Sequence, residues 1–580
     1  MRLQNWTLTA AACGLAISTQ ALAGPPASLD RVPGDAAVAV VIPNLQGLFD
    51  DLKTFGQAVV PADQTMQMNM GLAMAQTFLD MPGINAGGSA AAVMYVSEDE
   101  AFAAPPVVLL LPVGDFGQLR ESVGAQGTGP VYEANMGGSE LYLKDVGGGF
   151  AAVGPLAELV QEFKGKAGNL NGHMDRIGRS GEEVLEDNDI TLIANLEILS
   201  PYIRETADQM KDQMGMMMMM AGPEAQQGQA FMDMMTSSMD SLAEDGQAGM
   251  LGVQMSPEGF SFDTGVQFQD GTESAQLLAE KGDTASLMDH LPGTDFMFAY
   301  ALDTSNAGIQ TVFDGFSAAA AEAGGQPQGM NFMEMLQGAT GLAGEMGSVP
   351  MMGAGLFSNM VTLTMTKDAG SVVGTLKDGL AAINGQSAQG FKYNTSFESD
   401  AAEIDGVDVS RFAMTMQPDG SGDGAAFGPA QMLMPMLFGP QGGPNGFVAA
   451  VDGAVVQTLS QNTPLMEKAI TAARNGGGLG SSDSLKMVAG RLPSNRIFEF
   501  YLSIDQVMNT VGPMAATFGA LPGFERLDAM APVGIGASIG DGGLVNRIHI
   551  PNEVIGWMVE FSKQMQADEF EGEDGFEPDF

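Results

Sequence analysis

Val32-Pro33-Gly34-Asp35 stands directly before an apolar run, residues 36–42, and a segment with helical spacing follows at residues 45–55. Short apolar runs bounded by turn residues are typical of buried strands, so this order predicts a strand, a turn and a helix. The same order follows Leu291-Pro292-Gly293-Thr294 and, a third time, Leu492-Pro493. Because self-similar segments indicate repeated architecture, we predict duplicated halves.

The remaining strand and helix patterns follow this duplication. Residues 250–255 and 260–268 alternate apolar and polar side chains around a turn, and a helical pattern comes next. Residues 533–539 and 544–550 repeat that order near the end of the chain. The predicted fold class is therefore α+β, with two similar halves, each an antiparallel-rich sheet with helices packed on it and a Met-rich helical insertion.

A chain of 580 residues exceeds the size at which one hydrophobic core stops growing, which is about 250–300 residues. We predict four segments: a signal peptide at 1–23; a first α+β repeat domain at 24–285, with its Met-rich helical insertion at about 206–242; a second α+β repeat domain with Gly-rich loops at 286–563; and an acidic disordered tail at 564–580.

The chain is strongly acidic. It has 70 Asp and Glu residues against 24 Lys and Arg residues, a net charge of −46 and an isoelectric point near 4.1. Proteins bind phosphate backbones by displacing counterions with Lys and Arg, so this balance argues against nucleic acid as a partner. It disfavours an anionic membrane surface for the same reason. The expected surface is soluble and self-repelling.

The N-terminus has the order of a secretory signal peptide: Arg2, an apolar stretch at 6–17, and the small-residue cleavage site Ala21-Leu22-Ala23. Lipidation at Cys13 is disfavoured because alanines precede it where a lipoprotein signal has Leu. Cys13 is the only cysteine, so the mature chain would have no disulfide. No later apolar run reaches the length of about 18 residues that predicts a transmembrane helix. We predict a periplasmic or secreted protein that does not span a membrane.

One segment carries a family resemblance. Residues 446–453 read Gly-Phe-Val-Ala-Ala-Val-Asp-Gly, Asn462-Thr463-Pro464-Leu465 leads into a helical pattern, and a Leu-Pro strand follows. Together with the signal peptide, this pattern resembles a bacterial secreted protein family of unknown function, most clearly over residues 447–502. The resemblance implies an extracytoplasmic α+β protein with no assigned activity, and it transfers no catalytic residues.

Motifs for catalysis are weak in this sequence. Residues 536–540 match the Gly-x-Ser-x-Gly nucleophile elbow, but the pattern lies inside a predicted strand and not at a strand-to-helix turn. His173 lies in a segment predicted to be a polar loop, and neither it nor His290 nor His549 has the spacing of a metal site. Acidic residues are so numerous that no pair stands out, and a secreted hydrolase with two carboxylates remains an alternative.

Methionine is the unusual feature of the composition, with 44 residues. Met66, Met70 and Met74 recur with Phe78 at helical spacing. A candidate apolar contact surface comprises the methionines of the predicted insertion: Met210, Met214, Met216, Met217, Met218, Met219, Met220, Met232, Met235 and Met239. Met fills irregular cores and adaptable surfaces, so both core packing and a contact surface are open. Thioether sulfur also binds Cu(I), and the densest sets are Met66, Met68 and Met70, and the methionines at 216–220.

We therefore predict a noncatalytic extracytoplasmic binding or envelope protein that uses a Met-rich apolar surface for lipid or protein contact. The alternatives are the carboxylate hydrolase and a Met-rich Cu(I)-binding protein. The expected partner is a protein or a lipid, not a nucleic acid. No catalytic, cofactor-binding or metal residue is predicted, and the sequence does not indicate an oligomeric state.

Overall fold

The structure, a computed structural model, describes residues 24–61, 64–96, 106–136, 138–221, 226–313, 338–349, 355–388, 391–418, 434–440, 442–517 and 524–573. It is 40% helical and 33% strand with extensive antiparallel sheet, which confirms the predicted α+β class. The predicted signal peptide, 1–23, lies outside the described residues, as does the end of the predicted tail, 574–580.

The chain divides into two compact units. The first comprises residues 1–209, 238–276 and 541–580, and the second comprises residues 210–237 and 277–540. The repeat domains at 24–285 and 286–563 stay predictions.

The elements up to residue 277 are β1 (Val38–Ile42), α1 (Leu45–Val59), α2 (Thr65–Leu79), β2 (Ala90–Met94), β3 (Val107–Pro112), α3 (Phe116–Ser122), β4 (Tyr132–Met136), β5 (Ser139–Gly147), β6 (Phe150–Gly154), α4 (Ala157–Glu162), α5 (Leu170–Asp187), β7 (Ile190–Asn195), α6 (Leu196–Ala221), α7 (Gln226–Asp245), β8 (Gly246–Met255), β9 (Gly259–Phe268) and α8 (Glu273–Leu277).

The later elements are α9 (Ala285–Met288), β10 (Phe296–Leu302), β11 (Ala339–Gly347), β12 (Met360–Thr366), α10 (Ala369–Ile383), β13 (Ser387–Ala388), β14 (Phe391–Ile404), β15 (Val407–Pro418), β16 (Asn445–Val451), β17 (Ala454–Thr458), α11 (Thr463–Asn475), α12 (Asp483–Ala489), β18 (Arg496–Leu502), α13 (Ile504–Thr517), β19 (Val533–Gly540), β20 (Gly543–Pro551) and α14 (Asn552–Glu573).

The strands of each unit form antiparallel pairs in a corresponding order. In the first unit the order is β20, β9, β8, β7, β1, β2, β3, β6, β5, β4. In the second unit it is β19, β18, β10, β11, β12, β17, β16, β15, β14, β13. In both units the first strand lies inside the sheet, between the second strand and a strand from much later in the chain. The segment that follows Leu492-Pro493 supplies β18, which pairs with β10.

Helix starts are fixed by side chains that the sequence already places. Asn44, Asp115, Asp368 and Asn462 each accept a hydrogen bond from the backbone N–H three residues later, at 2.9, 3.0, 3.0 and 3.3 Å respectively. Such N-caps satisfy a donor that has no partner within the helix, typically contributing about 1 kcal/mol each. They hold α1, α3, α10 and α11 at the ends of the preceding strands or turns.

Two elements are notable for their length, strand β14 and the last helix, α14. Strand β14 is long, and it pairs with β15 across a register shift between Glu398 and Ala402. Helix α14 continues to Glu573 and so covers the first part of the predicted tail. Among the described residues, no helix has both the length and the apolar content needed to cross a bilayer.

Candidate functional site

Helix α2 is an uncharged helix in a strongly acidic chain. Its sequence, from Thr65 to Leu79, contains no Asp, Glu, Lys or Arg. The inner side of the helix buries Leu72, Ala75 and Leu79 in a cluster that also contains the apolar side chains of α1. This packing fixes which side of α2 faces the solvent.

The outer side of α2 carries three exposed methionines. Met66 is 82% exposed, Met70 is 65% exposed and Met74 is 73% exposed. Residues four apart lie on one face of a helix, so these side chains form a continuous stripe. Single exposed apolar side chains are ordinary, but a contiguous stripe is typical of a contact surface. We call Met66, Met70 and Met74 the α2 methionine face.

Met68 lies on the other side of the same helix. It packs with the buried cluster, and a Cβ atom at Gly56 of α1 would lie only 2.5 Å from its sulfur. One of the two dense sets proposed for Cu(I), Met66, Met68 and Met70, is therefore divided, because one sulfur faces the core and two face the solvent. The structure does not bring these three ligands together.

The predicted surface at residues 206–242 is described only in part. Helices α6 and α7 occupy it, and residues 222–225 between them lie outside the described residues. Met216 is 59% exposed, while Met210, Met235 and Met239 are half-buried. The side chains of the other predicted members lie outside the described part of the chain: Met214, Met217, Met218, Met219, Met220 and Met232.

A buried carboxyl group on α1, that of Asp51, lies near the carboxyl group of Asp189. Asp51 is 6% exposed, and its Oδ2 atom has no hydrogen-bond partner. Burial, and after it the charge of Asp189, raises the pKa of Asp51 to about 8. Burial also raises the pKa of Asp189 to about 6, although the 2.9 Å hydrogen bond that it accepts from the Met255 backbone N–H acts to lower this pKa. Asp51 therefore keeps its proton to a higher pH than Asp189 does.

A carboxylate hydrolase needs two acids whose pKa values differ, so that one can donate a proton while the other is ionised. Asp51 and Asp189 have such a difference. The surroundings do not suit catalysis, however, because Asp51 lies on a helix face that packs into an apolar cluster and its Oδ2 is closed to solvent. Sequence reasoning did not bring Asp51 and Asp189 together, because they are 138 residues apart and no motif links them.

An open polar cavity of about 730 Å³ lies elsewhere in the first unit, beside the break in α5 at Gly178. Five carboxylates and one guanidinium line it, and neither Asp51 nor Asp189 belongs to it. The lining residues are Met174, Asp175, Gly178, Arg179, Glu182, Glu197, Gln247, Gln267, Gln269, Asp270 and Asp541. Its acids are mostly exposed, so the cavity is a solvated acidic depression.

The histidines have structural partners. His173, predicted in a loop, lies within α5 and is 4% exposed, because the segment is an amphipathic helix whose inner side also contains Ile177. Its Nε2 lies 2.9 Å from the Val32 carbonyl oxygen, and burial lowers its pKa. His549 lies 2.9 Å from the Ser261 hydroxyl, and both side chains are 1% exposed, so no substrate can reach this pair.

Two further candidates are structural. His290 bonds through Nδ1 to the Ala473 carbonyl oxygen at 3.0 Å. Ser538 of the elbow motif is 7% exposed within strand β19, so the motif does not form an exposed turn. In the described part of the chain, no three His, Cys, Asp or Glu side chains are grouped closely enough to hold a metal ion.

Comparison with known proteins adds no relative. No protein-family model matches the chain, and neither the curated proteins nor the solved structures gave a match. The resemblance to a secreted bacterial family therefore stays a prediction, and function must be argued from the α2 methionine face.

Proposed function

We propose that this chain is a noncatalytic extracytoplasmic binding protein that docks the apolar side of a partner protein's amphipathic helix on the α2 methionine face. The observation that carries the proposal is the continuous exposure of three methionines on a helix without charge. Extracytoplasmic location is supported by the signal-peptide pattern at 1–23.

Methionine suits this role because its unbranched, polarizable side chain adapts to different apolar partners. Helix-in-groove recognition places apolar anchors at spacings of three and four residues, and the members of the α2 methionine face are four residues apart. Gln67 and Asn69 are exposed beside the stripe and provide a polar, uncharged rim. A partner helix can therefore bury its apolar residues without opposing a charge on α2.

Charge favours a basic helix over the other occupants. The chain's net charge of −46 repels a second copy of itself and an anionic lipid surface alike. The same charge attracts a helix whose apolar side is flanked by Lys and Arg. We therefore assign the face to a basic amphipathic helix.

The expected affinity is modest. Complete burial of one Met side chain contributes about 1.5–3 kcal/mol, so three contribute roughly 5–9 kcal/mol at most. Association costs about 4–15 kcal/mol in lost motion, which leaves little surplus without electrostatic attraction. Binding should therefore be reversible, and it should weaken as salt screens the attraction.

A model peptide tests the proposal. A Leu and Lys peptide of about 18 residues, long enough to form a helix, is titrated into the mature protein by calorimetry. We expect the triple variant Met66→Gln, Met70→Gln, Met74→Gln to bind about tenfold more weakly or worse, a loss equivalent to about 1.4 kcal/mol. Met487→Gln is the matched control, because Met487 is also exposed, at 45%, on a different helix.

The outcomes separate the possible occupants. Equal peptide binding by the wild type and the triple variant contradicts the proposal. Binding to phosphatidylcholine vesicles that depends on the face, without peptide binding, assigns the face to lipid instead and also overturns it.

A further inference from the structure

The methionine side chains fall into sharply different classes of exposure. The three members of the α2 methionine face are 65–82% exposed, whereas Met297 is 1% exposed and Met466 is fully buried. Met68 offers a contrast within the same helix, because it packs against the buried cluster and Gly56. Oxidation of a thioether requires the oxidant to reach the sulfur, so exposure governs which methionines react.

We propose that the α2 methionine face is a reversible oxidation site, at which peroxide converts Met66, Met70 and Met74 to sulfoxides in the folded protein and thereby switches off docking of the partner helix. The switching step rests on the proposed function, while the modification site itself stands on the exposure of the three side chains.

The chemistry is a two-electron oxygen transfer. The sulfur lone pair attacks one oxygen of hydrogen peroxide, the O–O bond breaks, and an S–O bond forms. The departing hydroxide takes the proton that the transferred oxygen loses, so one water leaves and the peroxide is reduced. Methionine sulfoxide reductases reverse the change with a dithiol, which becomes a disulfide as the oxygen departs as water.

The site is suited to a switch because its oxidation does not require unfolding. A sulfoxide is polar, and at an exposed position it remains solvated, so the fold tolerates it. The same change at a buried methionine would place an unsatisfied polar group in the core. On the face, the sulfoxides convert the apolar stripe into a polar one, and a partner helix then loses its apolar contact.

The extracytoplasmic location predicted from the sequence fits this chemistry. The mature chain that begins after Ala23 contains no cysteine, so thiols of this chain do not compete for the oxidant. Methionine is then its principal oxidisable side chain.

The first experiment measures the modification alone. Full-length mature protein is titrated with hydrogen peroxide, and each methionine is followed by peptide mass spectrometry. We expect Met66, Met70 and Met74 to oxidise at least about tenfold faster than Met68 and Met297 in the folded protein, and all five to react alike after unfolding in urea. Equal rates in the folded protein overturn the proposal.

The second experiment measures the switch with the Leu and Lys peptide. Peroxide treatment should weaken binding about tenfold, and reduction by the sulfoxide reductases should restore it. The variant Met66→Leu, Met70→Leu, Met74→Leu keeps an apolar face of similar volume but cannot be oxidised, so its binding should survive peroxide.

Failure of this inference is distinguishable from failure of the proposed function. If the untreated wild type does not bind the peptide, the proposed function and the switch fail, while the oxidation map still decides the modification site. If the peptide binds but peroxide weakens the leucine variant as much as the wild type, the switch fails and the proposed function stands.

Discussion

Asp51→Asn should make the first unit more stable at neutral pH. The substitution keeps the shape of the side chain but removes its ability to ionise. Asp51 is 6% exposed on α1, and burial with the nearby charge of Asp189 raises its pKa from 3.8 to about 8. In the unfolded chain the same carboxyl regains its ordinary pKa, so the two states differ in the protons they bind.

The direction and size of the effect follow from that difference. Below pH 3.8 the carboxyl is protonated in both states and costs nothing. Between that pH and about 8 the unfolded chain releases the proton while the folded chain keeps it, so stability falls as pH rises through this window. Each pH unit in this window lowers the free energy of unfolding by about 1.36 kcal/mol, so the roughly three units between 3.8 and 7 lower it by about 4 kcal/mol. Asn at position 51 removes this loss.

Trp557 provides the assay. The chain contains two tryptophans, and the other, Trp6, lies in the predicted signal peptide. Trp557 stacks on Phe561 in α14, with ring centroids 5.2 Å apart, and α14 packs on α1. Urea unfolding followed by its fluorescence at pH 4 and pH 7 therefore reports on the unit that contains Asp51.

We expect Asp51→Asn to raise the urea midpoint at pH 7 by on the order of 1 M and to leave it nearly unchanged at pH 4. Asp80→Asn is the control, because Asp80 is exposed, accepts a hydrogen bond from Gln76 at 2.9 Å and is not among the charges that raise the pKa of Asp51. An identical pH dependence for Asp51→Asn and the wild type would refute the reasoning.

Two further substitutions test buried polar contacts. Arg547→Met should destabilise the first unit by about 3–5 kcal/mol, since Asp263, which is fully buried and bonded to the guanidinium at 2.6 Å, would be left without its countercharge. The control Arg179→Met breaks an exposed ion pair with Asp541, so it should lower the free energy of unfolding by less than about 1 kcal/mol in the same Trp557 fluorescence assay. In the second unit, Glu345→Ala should cost about 1–3 kcal/mol by circular dichroism, because the buried carboxylate accepts the Gly293 N–H at 3.1 Å; no loss of stability would show that this bond is replaceable.

Much of the local structure was accessible from the sequence. The strands near residues 38–42 and 296–302, the hairpin of β8 and β9, and the caps at Asn44 and Asn462 follow from apolar runs, turn residues and side chains that bond to neighbouring backbone. These signals act over a few residues and need no partner element. The α+β class followed from the same signals.

The order of strands was not accessible in this way. β1 pairs with β7, whose residues come about 150 positions later, and no local pattern distinguishes that neighbour from other apolar strands. The pair Asp51 and Asp189 is likewise assembled across the sequence, and its raised pKa values come from burial that only the packed fold creates.

The sequence by itself determined that α2 is a helix with Met66, Met70 and Met74 on one side, because a period of 3.6 residues places positions four apart together. It did not determine which side faces the solvent, since both sides carry methionine. Tertiary packing decided that: Leu72 and Leu79 join the apolar cluster of α1, and the outer methionines remain in water. The candidate site exists because packing against α1 covers only the side of α2 that carries Leu72 and Leu79.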